Sequence, residues 1–209
     1  MPAQPAKQSK VEDVRTRTLR VATRLLAERG FEGTSLQDVA DEVGVRKPSL
    51  LHHFPSKDAI RAAVFEQMLQ HWNVSLPRIL RAATSGEDQF DSVLDELIRF
   101  FTDDPDRARL LLREVLDRPR EMGALVRSQM RPWIESIAGY IRKGQERGAL
   151  HPDADPEAYV VHVTTNLIAT VATQRLLGAL PLDRSVKELV RMARASLFLP
   201  LKKESTKKR

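Results

Sequence analysis

Apolar residues along this chain recur every three to four positions, with no sustained alternation of period two, so the pattern predicts helices and no strands. The first helix is expected from about Val11 to Arg29, with Leu19, Ala22 and Leu26 on one face beside Val21 and Leu25, and Gly30 ending it. Gly30-Phe31-Glu32-Gly33 reads as a turn. A short helix follows from about Leu36 to Val43, with Thr34 and Ser35 as alternative N-caps: Thr34 paired with Gln37, or Ser35 paired with Asp38, would form a capping box. Gly44 closes it. A third helix spans about Lys47 to Phe54, with Pro48 in its first turn, where a missing N–H costs little. Pro55-Ser56 breaks the pattern, and Ser56 can cap a long fourth helix from Lys57 to about Arg81.

Five further helices are expected: about Asp88–Thr102, Pro105–Asp117, Met122–Arg147, Glu157–Leu177 and Asp183–Leu199. Asp104-Pro105 and Asp155-Pro156 each place a capping carboxylate before a proline at the first helical position, while Pro132 should kink or split its segment. The fold class is therefore all-α, with about nine helices.

Composition narrows the function. The chain has no cysteine, which excludes disulfides, thiolate nucleophiles and cysteine–zinc sites. No apolar run approaches the length of a membrane span, and Met1–Lys10 lacks the apolar stretch of a secretory leader, so a cytoplasmic protein is expected. Lys7 and Lys10, with the five bases and single acid of 202–209, supply the whole net charge of +6. The body between these tails is formally neutral, so global charge says little about nucleic acid and local charge must carry that argument. No nucleophile elbow, glycine-rich phosphate loop or metal-ligand spacing is present, so no enzyme, cofactor or metal is expected.

Two short helices joined by a tight turn at Gly44-Val45, after a longer one, make a helix-turn-helix, in which the second helix of the pair enters a major groove. Leu36, Val39, Ala40 and Val43 supply an apolar face, and Val45, Leu50 and Phe54 can anchor the reading helix. Arg46, Lys47, Ser49, His52 and His53 then point outward as donors for phosphates and base edges.

Over residues 12–65 the resemblance becomes specific. LLAERGFEGTSLQDVA at 25–40 and GVRKPSLLHHFPSKDAI at 44–60 are similar to the signature of the TetR family of transcription regulators. The resemblance implies that Thr34 and Ser35 cap the second helix and touch a phosphate, that Arg46, Lys47, Ser49 and His52 face DNA, and that Lys57 binds phosphate. Phe54 is implied to be a core anchor. At Leu51 the family usually has tyrosine, so this chain can offer only an apolar contact, such as to a thymine methyl. At Pro48 it often has glycine or alanine. Both positions belong to the DNA-facing set and bear on the target sequence, not on the binding mode.

Beyond the motif, the chain matches that family in length, helix order and helical character. Val160, Val161, Val163, Leu167, Ile168, Val171, Ala172 and Leu176 surround much of the helix at 157–177, and a helix apolar on most sides is buried on most sides. Part of that surface is expected to meet a second copy, through Val163, Leu167, Thr170 and Val171 together with Val186, Val190, Ala193 and Leu197 of the last helix. The resemblance implies the same two helices as a four-helix dimer interface. His162, Asn166 and Thr170 form a polar row on one face, whose partners are neighbouring helices, the twin helix or a ligand. Phe65, Met68, Trp72, Phe101, Trp133 and Ile137 are core or cavity residues, and Glu114 either meets a cationic ligand or faces solvent.

The expected organisation is a basic arm at 1–10, a helix-turn-helix domain at 11–60 with the motif at 36–54, a ligand-binding and dimerisation domain at 61–201, and a basic tail at 202–209. The expected function is a homodimeric regulator of transcription on a near-palindromic double-stranded operator, a repressor released by a small, largely apolar effector. An activator, or a ligand-independent helical DNA-binding protein, is the alternative.

Overall fold

The computed structural model describes residues 13–82, 86–176, 178 and 180–199; the two basic tails and Leu177 lie outside the described residues. The chain divides into two compact units between Met68 and Leu69.

In the first unit, α1 (Val14–Arg29), α2 (Leu36–Val43) and α3 (Lys47–His53) precede the start of α4 (Lys57–Ala82). Leu19, Ala22, Leu25 and Leu26 of α1 are buried with Val39, Ala40 and Val43 of α2, Leu50 of α3, Phe54, and Ile60 and Val64 of α4. Ala40 has no exposed surface, and its single methyl lets α2 lie close to α1. Arg24 adds ion pairs to Glu28 and, across to α2, to Glu42. As half-exposed pairs these contribute at most about 1 kcal/mol each.

The turns explain the register. Gly33 is needed for close approach, because a Cβ there would lie 2.4 Å from the Arg29 carbonyl oxygen. Gly44 is left-handed at φ 79°, and its N–H and that of Val45 both reach the Ala40 carbonyl oxygen, which turns the chain sharply into α3. Ser56 caps α4 by accepting from the Ala59 N–H at 3.0 Å. Pro77 lies inside α4, near its C-terminal end, where it removes one rung of the hydrogen-bond ladder.

The second unit holds the rest of α4 and α5 (Gly86–Thr102), α6 (Pro105–Asp117), α7 (Pro119–Leu125), a π-turn (Val126–Met130), α8 (Arg131–Glu146), α9 (Pro156–Thr173) and α10 (Leu182–Leu197). The expected helix 122–147 thus begins earlier, at Pro119, and is interrupted. The backbone passes through the π-turn in helical conformation, with the Arg131 N–H reaching back to the Val126 carbonyl. The wider turn falls just before Pro132, which can neither donate to the ladder nor fit under a normal preceding turn. Counting that segment once gives nine helical segments among the described residues.

Asp104 and Asp155 cap α6 and α9 as their sequence signals required, accepting from Asp106 and Ala158. Helix α9 is central and packs against α5, α6, α8 and α10. A core of Ile141, Leu150, Val160 and Leu197 is extended by Phe90, Ile134, Ile137, Tyr159 and Phe198. Extended pairing among the described residues is confined to one bridge, Leu150 with Phe198. Tyr159 donates its hydroxyl to the Ala193 carbonyl at 2.8 Å, and burial pushes the phenol's pKa up. No described helix is long and apolar enough to cross a membrane.

Candidate nucleic-acid interface

Helix α3 touches the core through very few side chains. Leu50 and Phe54, one turn apart, are buried, whereas Arg46, Lys47, Pro48, Ser49, Leu51, His52 and His53 are exposed. A seven-residue helix with one buried residue is a helix presented to something else. Its outward chemistry is two fixed cations, a hydroxyl, two imidazoles whose rings sit 5.7 Å apart, and the apolar Leu51, 37% exposed. A proline in the first turn holds the helix start without competing for a donor.

Sequence reasoning missed one cation at this end of the unit. The exposed Arg15 places its guanidinium 4.9 Å from the centre of the Phe54 ring, directly after α3. Nothing in the local pattern of α1 marks it, because the contact joins residues far apart in sequence.

The caps differ from part of the expectation. The box is made by Ser35 and Asp38: Ser35 Oγ accepts from the Asp38 N–H at 3.1 Å, and the Ser35 N–H donates to Asp38 Oδ2 at 2.8 Å. The Ser35 hydroxyl also donates to the same carboxylate at 2.6 Å. These bonds hold the Asp38 carboxyl below its ordinary pKa. Thr34 is not a cap. Its side chain is 2% exposed, and its hydroxyl donates to the carbonyls of Gly30 at 2.8 Å and Leu25 at 3.2 Å. The reading of Thr34 as a phosphate ligand is therefore corrected: packing turned the hydroxyl inward, to carbonyls freed at the end of α1.

Lys57 is also turned inward. The half-buried side chain brings Nζ to 2.6 Å from the Phe31 carbonyl oxygen and 4.1 Å from the centre of the Phe31 ring.

The expected sensor and interface residues separate. Phe65 and Met68 are buried within the first unit, while Trp72, Phe101, Glu114, Trp133 and Ile137 belong to the second. There Trp72 meets Phe100 edge-on at 5.4 Å and Trp133 at 6.5 Å, and Phe100 meets Phe101 at 5.0 Å. His71 and Glu96 complete this cluster and were not anticipated: Glu96 is buried, 2.9 Å from His71 and 2.8 Å from Arg99. The adjacent aromatic pairs at 71–72 and 100–101 were the available signal. Glu114 is buried rather than solvent-facing.

His162 and Asn166 are exposed on α9, and Thr170 is half-buried, so the polar row is not the buried one expected. The expected interface positions divide into two sets. Leu167, Val171, Val186, Ala193 and Leu197 are buried within the single chain, and Val163, Thr170 and Val190 are half-buried. The buried set faces own-chain neighbours, since α9 packs against α5, α6, α8 and α10. What α9 leaves outward is Glu157 in its first turn and, further along, Val161, His162, Thr165 and Asn166.

Comparison with known proteins covers both units. Residues 19–64 match the family model for bacterial regulatory proteins of the tetR family, and residues 87–195 match that described as the tetracyclin repressor-like C-terminal domain. The chain is 24% identical over 175 residues to the HTH-type transcriptional regulator UidR of Escherichia coli (strain K12), covering 81% of this chain and 87% of that one. It is 31% identical over 134 residues to the HTH-type transcriptional regulator RutR of the same organism, 61% of each chain. Among solved structures, the ketosteroid transcriptional regulator KstR2 of Mycobacterium tuberculosis is similar at TM-score 0.75 and 18% identity, with 91% of this chain and 98% of that one covered. A transcriptional regulator from Saccharomonospora viridis in complex with choline is similar at TM-score 0.69 and 21% identity, with 89% and 98% covered.

Proposed function

The chain belongs to the tetR family of bacterial regulatory proteins, a DNA-binding transcriptional regulator, and from that premise we propose that it is a homodimeric repressor released from a near-palindromic operator by a small, largely apolar ligand. The observation that carries the DNA half of this reading is the exposure of every α3 side chain except Leu50. Arg46 and Lys47 supply charge for phosphates, and Ser49 and His52 supply donors for base edges. Pro48 and Leu51 add apolar contacts, the latter suited to a thymine methyl. Ser35 sits at the start of α2, where free backbone N–H groups favour a phosphate.

One reading helix per chain recognises one half-site, so a two-fold dimer requires half-sites at least about one helical turn, roughly 34 Å, apart. The outward residues of α9 (Val161, His162, Thr165 and Asn166) are the proposed meeting surface, in place of the buried positions. Trp72, Phe101 and Trp133 in the second unit are the proposed lining for an apolar ligand. A regulator of similar fold has been solved in complex with choline, which is consistent with a small-molecule effector for this one. Helix α4 is the natural transmitter, being one continuous helix from Lys57 to Ala82. A ligand that shifts it would alter the spacing of two reading helices while the groove spacing of DNA stays constant. This reading places the protein in the cytoplasm with its DNA.

Such release works only through differential affinity for two states, and a coupling of about 1–3 kcal/mol weakens operator binding about 5- to 150-fold. Linkage requires operator DNA to weaken ligand binding by the same factor. The test is to select duplexes from a random pool with the protein, find a stabilising ligand by thermal shift, and titrate it with and without the selected duplex. Inverted repeats and unequal affinities are expected. Equal affinities would refute ligand release.

A further inference from the structure

Among the described residues the buried charged side chains are Glu96 and Glu114, both carboxylates of the second unit, and no lysine or arginine is buried with them. A carboxylate taken out of water is costly unless a positive charge answers it. Glu96 has two partners. Its Oε1 lies 2.9 Å from Nε2 of His71, an imidazole that carries charge only when protonated, and its Oε2 accepts from Arg99 at 2.8 Å. The Arg99 side chain is 67% exposed, so water screens its charge. Both carboxylate oxygens are thus engaged, and what Glu96 still offers is negative charge rather than a free acceptor.

Aromatic rings stand next to that charge. The His71 ring lies 4.8 Å from Phe100 and 5.5 Å from Trp72, and Trp72 lies 6.5 Å from Trp133. The two indoles meet at 45°, neither stacked nor edge to face, and both are half-buried, so they stay within reach of a solute. The face of an indole attracts a cation through its quadrupole, more strongly where water is partly excluded. The same cluster already holds one cation in this way. The Arg107 guanidinium sits 4.6 Å from the centre of the Phe100 ring, with its charge answered by Asp104.

We propose that the second unit takes an organic cation, an alkylated ammonium seated against Trp72 and Trp133 within the field of the Glu96 carboxylate. A fully alkylated ammonium has no N–H to satisfy, which suits a site that offers ring faces and charge. Its alkyl groups keep the ligand largely apolar. The proposal rests on the reading of this cluster as the effector site and narrows it, and the experiment separates the two.

The probes are phenyltrimethylammonium and tert-butylbenzene, which share one shape and differ in a charged nitrogen for a neutral carbon. Trp72 and Trp133 are the chain's two tryptophans, so the indole emission of the full-length protein reports on this cluster alone. A merely apolar site prefers the isostere, which leaves water more readily. In the parent, the cation is instead expected to bind about tenfold tighter than its isostere and to move the emission. Glu96→Gln should bring the ratio of the two affinities to within about threefold, while the isostere keeps its parent affinity within about twofold. Trp133→Leu should lower the ratio as well, with Trp72 still reporting. A residue that serves only to hold the fold would change both affinities together and leave the ratio alone.

Equal or tighter binding of tert-butylbenzene by the parent would overturn the proposal and leave an apolar effector site standing. A preference for the cation that survives both substitutions would seat the cation elsewhere and overturn the proposal too. Binding of neither probe, with the emission unmoved, would overturn both the proposal and the reading of this cluster as the effector site. Should Glu96→Gln fail to fold by circular dichroism, Trp133→Leu decides the location and the parent titrations decide the preference for charge.

Discussion

Replacing Thr34 with valine separates a packing role from a DNA-contacting one at a single atom. Valine keeps the shape of the side chain and removes only the hydroxyl. That hydroxyl is buried and donates to Gly30 and Leu25 carbonyls at 2.8 and 3.2 Å. The Leu25 carbonyl lies within α1, whereas Gly30 is the residue after the helix end. Gly30 is buried, so its carbonyl would lose that donor away from bulk water. A neutral hydrogen bond contributes about 0.5–1.5 kcal/mol net, and an orphaned buried acceptor costs about 1–3 kcal/mol. Because the bond at 3.2 Å is the weaker of the two, the expected destabilisation is about 1–2 kcal/mol. The midpoint should fall by about 2–4 °C per kcal/mol if the chain melts as a whole, or about 4–8 °C if the first unit melts alone. Urea unfolding followed by circular dichroism gives the free energy. Titration with a selected duplex, well below the melting temperature, gives binding. Affinity and its salt slope should match the parent. A variant of unchanged stability, with weaker binding and a lower salt slope, would show that the hydroxyl faces a phosphate and that the burial argument is wrong.

Three other outcomes follow from the same geometry. Gly44→Ala places a side chain at φ 79° with nothing within 4 Å of the new Cβ, so the cost is backbone strain alone, about 1–2 kcal/mol by urea unfolding; a neutral result would mean that the turn is not left-handed. Leu167→Glu buries a carboxylate at a fully buried position and should cost several kcal/mol of stability within the chain, whereas the exposed Thr165→Glu should keep the parent's helicity, sediment as a monomer and lose only the part of the parent's melting temperature that rises with protein concentration. A stable dimer for Thr165→Glu would remove the outward face of α9 from the interface. Asp38 should titrate below its ordinary value of 3.8 by NMR, since its bonds to Ser35 favour the carboxylate. Its cap is then fully formed above that value and lost as pH falls through the lowered one, and Ser35→Ala should return the titration toward 3.8.

The helices and their ends were legible because they are local. Capping carboxylates at 104 and 155, prolines at the first helical positions and glycine at 44 act within one turn of themselves, so short-range pattern suffices. The same holds for α3, whose Leu50 and Phe54 spacing left the remaining side chains outward. Three outcomes depended on which distant surfaces met. Thr34 and Ser35 are both suitable caps, and the choice fell to Ser35 because packing drew the Thr34 hydroxyl into the end of α1. Lys57 has the composition of a phosphate ligand, and its contact with a carbonyl 26 residues away is visible only in the folded chain. Helix α9 is apolar around much of its circumference, which establishes that much of it leaves water but not against what; α5, α6, α8 and α10 pack against it and bury Leu167 and Val171, which periodicity alone assigned to a second chain. Periodicity measures how much of a helix leaves water. The identity of what replaces the water is a property of the assembled chain, since any apolar surface removes it equally well.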